Sequence, residues 1–71
     1  MTQKDVYDIL KELGGSATTK QISQRAKDKF PQYALWSYVG FVLRKLERNG
    51  YVARVGEEGN TIVWKIVGDY S

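Results

Sequence analysis

The chain has no cysteine and no histidine. Without thiols there is no disulfide framework, and with both residues missing the two usual kinds of zinc ligand are gone. The commonest general base goes too, along with every Ser-His or Cys-His nucleophilic pair. No apolar stretch approaches the ~20 residues a membrane-spanning helix needs. No apolar run follows Met1, so the expectation is no signal peptide and a cytoplasmic location. A length of 71 residues suits one domain and not two. The chain is therefore expected to be a single domain over 1–71, ordered over 2–67, with a frayed tail at 68–71.

One proline and seven glycines divide what is there. Thr2 and Asp5 have capping-box spacing, and Val6, Ile9, Leu10 and Leu13 follow at i, i+3, i+4 and i+7, the apolar face of a helix. Gly14-Gly15 ends it, because glycine readily takes the left-handed conformation past a helix. Ser16-Ala17-Thr18 is room for a short strand. Thr18 and Gln21 repeat the capping-box spacing, so a second helix starts there and stops by about Lys29, since Pro31 disfavours helical angles at Phe30. A third helix is expected over Ala34 to Asn49. Leu35, Val39, Val42, Leu43 and Leu46 share one side of it, and Ser37, Phe41, Arg44 and Arg48 the other. Gly50 is its cap. Tyr51–Val55 and Thr61–Val67 then read as strands of a β-hairpin, with Gly56 to Asn60 as a five-residue loop. The expected core is Val6, Ile9, Leu10, Leu13, Ile22, Ala26, Leu35, Val39, Leu43, Leu46, Val52, Trp64 and Ile66.

The order helix, short extended piece, helix, turn, helix, hairpin resembles the winged helix-turn-helix domain of small prokaryotic and archaeal transcription regulators. The likeness covers Thr2 to Val67. Two stretches carry it: Val42-Leu43-Arg44-Lys45-Leu46-Glu47-Arg48-Asn49-Gly50-Tyr51-Val52, which is similar to the end of a recognition helix running into the first wing strand, and Ala17-Thr18-Thr19-Lys20-Gln21-Ile22-Ser23, which is similar to the entry into the second helix. The resemblance implies an α+β fold of three helices with a C-terminal hairpin wing and a short strand between helices 1 and 2. It also implies binding to double-stranded DNA, with the helix 34–49 in the major groove.

The net charge of +3 is unevenly placed. Residues 1–13 sum to −1, residues 14–54 to +6 and residues 55–71 to −2. The cations thus gather on the second and third helices and the first hairpin strand, where the resemblance puts the DNA-facing side; phosphate contacts supply much of the affinity of such modules. Cations are also common on plainly solvated faces. The candidate contacts are Ser37, Phe41, Arg44, Lys45 and Arg48 on the third helix, Lys20, Gln21, Gln24 and Lys27 on the second, and Arg54 and Lys65 on the hairpin. Ser37 and Arg44 are the candidates for base edges, Arg because it can hydrogen-bond guanine twice. Lys45 and Arg48 are the candidates for phosphates, unless the arginines pair with acids such as Glu47. The backbone N–H groups near Thr18 to Lys20 offer another phosphate site. Arg54 and Lys65 are expected to face outward together.

Two features depart from the family pattern. The hairpin tip carries Glu57 and Glu58 where a DNA-binding wing is often basic. Phe41 puts a ring on the outward face, where it contacts a thymine methyl, packs on a dimer partner, or is buried through a different helix phase. Tyr33, Tyr38 and Tyr7 are further candidates for self-association, which would make a homodimer over a small surface. A second function class stays open: a winged helix that binds proteins inside a larger assembly. No motif joins the remaining lysines, serines, tyrosines and acids into a catalytic set, so no enzyme, metal or small-molecule cofactor is expected.

Overall fold

A computed structural model describes residues 2–32 and 36–70, without the side chains of Trp36 and Ser37. The elements are α1 (Gln3–Glu12), β1 (Ser16–Thr18), α2 (Thr19–Lys29), α3 (Trp36–Arg48), β2 (Val52–Glu58) and β3 (Thr61–Ile66). They make an α+β domain of three helices and a three-stranded antiparallel sheet in the order β1-β3-β2. Among the described residues no helix is long and apolar enough to cross a membrane.

Local chemistry sets the helix ends. Thr2 Oγ1 accepts from Asp5 N–H at 3.3 Å while the Asp5 carboxylate accepts from Thr2 N–H at 2.7 Å. At α2 the same box forms between Thr18 and Gln21, at 3.1 and 2.9 Å. Each box satisfies N–H groups that a first helical turn leaves without partners. The C-terminal ends are alike as well. Gly14 has φ 94° and Gly50 φ 84°. Their N–H groups donate to Lys11 and Glu47, and the next residues, Gly15 and Tyr51, donate to Leu10 and Leu46. That is the paired-bond glycine termination of a helix. α2 ends where Pro31 requires: Phe30 has φ −133° and ψ 65°, outside the helix.

The hairpin differs from the five-residue loop expected over 56–60. β2 runs on to Glu58, and only Gly59 and Asn60 turn. Both have positive φ, 56° and 66°, as a two-residue hairpin turn requires. The surplus residue appears upstream as a bulge: Arg54 pairs with Trp64 but Gly56 pairs with Val63, leaving Val55 exposed and without a partner opposite.

One core holds the domain. It contains Val6, Tyr7, Ile9, Leu10, Ala17, Ile22, Ala26, Val39, Val42, Leu43, Leu46, Val52 and Trp64. Tyr7, Ala17 and Val42 join the expected set, Ile66 is half-buried against it, and Leu35 lies outside the described residues. Leu13 is a correction: it is the cap residue of α1, beyond the last helical turn, and stays 36 % exposed.

The tail is a second correction. Residues 68–70 do not fray. Val67 and Gly68 donate to the Tyr51 carbonyl, Tyr7 Oη donates to the Gly68 carbonyl at 2.9 Å, and the Tyr70 ring lies 4.7 Å from Tyr51 and 5.6 Å from Tyr7 between centroids. Tyr7 is therefore an internal residue, 4 % exposed, and not a surface for self-association. A Cβ at Gly68 would stand 2.6 Å from the Gly50 carbonyl oxygen, a backbone atom. Gly68→Ala should lower stability by about 1–3 kcal/mol, as overpacking does, measured by urea unfolding; a tail free in solution would give no change.

Glu12 ties α1 to α2. Lys29 Nζ donates to its Oε1 and Arg25 Nε stands 3.8 Å from its Oε2. The Lys29 hydrogen bond, aided by both positive charges, holds the Glu12 carboxyl below the usual carboxylate range. A pKa depressed in the folded state stabilises above the unfolded value, about 4.3 for Glu, and that contribution fades as pH falls through the lower folded value. Glu12→Gln should therefore narrow the stability gap to wild type as pH drops from neutral to acid, read by urea midpoints across that range.

Candidate nucleic-acid interface

α3 buries Val39, Val42, Leu43 and Leu46. At 100° per residue this phase turns Phe41, Arg44 and Arg48 to the opposite side, with Lys45 on its flank. All four are exposed, Phe41 to 49 %. Lys45 Nζ lies 5.1 Å from the Phe41 ring centroid, within cation–π range. A Cβ at Gly40 would make only an ordinary contact with Arg44 Nη1, at 3.7 Å. Ser37 is in the first turn of α3, and its side chain lies outside the described residues, as does Tyr33. Phe41 is not buried, so the helix phase read from the sequence holds.

Two acids are committed to cations outside α3. Glu12 takes Lys29 and Arg25. Glu47, the acid expected to neutralise Arg44 or Arg48, instead takes Arg54: Arg54 Nε stands 3.2 Å from Glu47 Oε2 and donates to Oε1 at 3.3 Å. Among the described residues Arg44, Lys45 and Arg48 make no ion pair. The guanidinium of Arg54 also lies 5.2 Å from the Trp64 ring centroid.

The hairpin cations are separated rather than joined. Arg54 is opposite Trp64, whereas Lys65 is opposite Ala53, one residue along β3 and so on the other face of the sheet. The expectation that Arg54 and Lys65 face outward together is thus corrected by the register. Glu57 and Glu58 are exposed strand residues next to the turn, not loop residues.

α2 presents Lys20, Gln21, Gln24 and Lys27, all exposed. Of the N–H groups expected to be open near Thr18 to Lys20, those of Thr18 and Lys20 are engaged within the domain. Gln21 N–H goes to Thr18 Oγ1, Thr18 N–H to Gln21 Oε1, and Lys20 N–H to Thr61 Oγ1 at 3.3 Å. The Gln21 carbonyl is therefore engaged by the cap. Thr61 is opposite Glu58, so the acidic end of the hairpin stands beside the start of α2.

Sequence reasoning missed two contacts that shape this surface. Thr19 Oγ1 accepts from Trp64 Nε1 at 2.8 Å and donates to the Ile62 carbonyl at 3.4 Å, which pins the start of α2 to β3. Glu47 fixes Arg54. No local pattern marks either contact, because both join segments that meet only in the folded chain. No family model, curated protein or solved structure matches this chain.

A double-mutant cycle on Glu47→Ala and Arg54→Ala should give a coupling of about 0.2–1 kcal/mol, the range of exposed pairs, read by urea unfolding. A coupling of zero would show that the Trp64 ring alone holds Arg54.

Proposed function

We propose that this chain is a winged helix-turn-helix domain that binds duplex DNA, in the role of a transcription regulator, with α3 in the major groove. What supports this most is that Arg44, Lys45 and Arg48 stand together on the outward face of α3, unpaired among the described residues, while Glu12 and Glu47 are taken by other cations. The α3 helix, Trp36–Arg48, is about 20 Å long at 1.5 Å per residue. The major groove, about 12 Å wide, admits such a helix. Arg44 is then a base-edge contact, Lys45 and Arg48 meet phosphates, and Lys27 on α2 adds to the backbone contacts.

The hairpin takes a lesser part than the family resemblance implies. Its one cation on the Trp64 side is neutralised by Glu47, and its end carries Glu57 and Glu58. That observation favours a second reading, in which the same fold meets a protein and not DNA. The two readings part on salt. A duplex binder should bind mixed-sequence DNA at low salt, with log K falling linearly in log salt concentration. Arg48→Ala should make that slope shallower by about one. Arg44→Ala should cost about 1–3 kcal/mol and relax preference at one base pair. Glu47→Gln, which removes an anion and releases Arg54, should tighten binding and steepen the slope. Fluorescence anisotropy across a salt series reads all four; no binding at low salt would favour the protein-binding reading.

A further inference from the structure

Phe41 is an apolar residue on the outward face of α3, and phosphate contacts do not explain it. It is 49 % exposed at the centre of that face, between Arg44 and Lys45 on the following turn, with Arg48 one turn further on. A ring in that position gives up contact with the core that a buried phase would provide, and it sits among cations whose partners are polar. Its geometry is also constrained. The Lys45 ammonium stands 5.1 Å from the ring centroid, so one aromatic face already has a cation against it. A base cannot stack on that face without displacing the ammonium, and the bases of a duplex are in any case stacked on one another.

The floor of the major groove offers mostly hydrogen-bonding groups: N7 and O6 of guanine, N4 of cytosine, N7 and N6 of adenine, O4 of thymine. A phenyl ring satisfies none of them, and pressing it against one would strip water from a polar atom without replacement. The C5-methyl of thymine is the exception, the one apolar group on that surface. We infer that Phe41 is a specificity-determining residue that selects a thymine by its 5-methyl group, on the strand that α3 meets next to the base pair contacted by Arg44. This rests on the reading of α3 as a major-groove helix. The Lys45 ammonium then has two tasks, holding the ring and meeting a phosphate.

The contact is with one methyl group, so the test changes that group and leaves the protein alone. Duplexes that bind best are selected from a randomised pool, and each thymine of a selected duplex is replaced in turn by uracil, which keeps the base pair, the charge and the hydrogen-bonding edge and lacks only the methyl. At one position the wild-type protein should lose about fourfold in affinity, the equivalent of one buried methylene. Phe41→Ala, whose side chain lies outside the core, should bind the thymine and uracil duplexes alike while keeping the salt slope of the wild type. Equal affinity of the wild-type protein for thymine and uracil at every position would overturn the inference and leave the DNA reading standing. A loss of the same size in both proteins would overturn it too, assigning the methyl to another residue. Failure to select any duplex would overturn the DNA reading itself.

Discussion

The burial of one indole organises this domain. Trp64 is 1 % exposed and sits on the central strand, opposite Ala17 of β1 on one side and Arg54 of β2 on the other. A buried indole needs a partner for its N–H, and Thr19 provides one, which fixes where α2 begins relative to the sheet. It also needs its edge closed from water. Arg54 lies against the ring and is itself held by Glu47 at the end of α3. Through that one side chain, the sheet is connected to α2 by a hydrogen bond and to α3 by a charge relay of two residues.

This arrangement decides the electrostatics of the outward face. Glu47 lies on α3 three residues after Arg44, and in an isolated helix it would be that arginine's natural partner. The demand of Arg54, drawn in by the Trp64 ring, takes it instead. Among the described residues the cations of α3 make no ion pair, and the acid on their own helix is claimed by a neighbouring strand. The surface that faces solvent is thus set by what the core requires a few ångströms away.

What the sequence revealed and what it hid divide by range. Helix starts at Thr2 and Thr18 and helix ends at Gly14 and Gly50 were legible because caps are made by residues three or four apart. The phase of α3 was legible because four apolar residues repeat along thirteen positions, and with it the outward place of Phe41, Arg44 and Arg48. The hairpin misled because Gly56, Glu57 and Glu58 have turn composition, while Gly59 and Asn60 alone have the positive φ of a two-residue turn. One bulged residue then set the register, and the register put Arg54 and Lys65 on opposite faces. The docked tail was hidden for a different reason. Tyr7 and Gly68 are sixty-one residues apart, and no local signal joins a helix tyrosine to a C-terminal carbonyl.

The fold and the proposed interface are separable on α3 but not on the hairpin. Phe41, Arg44, Lys45 and Arg48 contribute nothing to the buried stripe, so they are free to vary with the partner while Val39, Val42, Leu43 and Leu46 keep the helix in place. Arg54 has no such freedom. Its guanidinium closes the edge of Trp64 and its charge satisfies Glu47, so any change that turned it outward to a phosphate would leave a buried ring less covered and an acid unpaired on the binding face. A hairpin whose root cation is held in this way, and whose end bears two glutamates, is better suited to staying clear of a polyanion than to gripping it. On the proposed reading, binding is then concentrated on one helix, and selectivity has to come from the few side chains that helix turns outward.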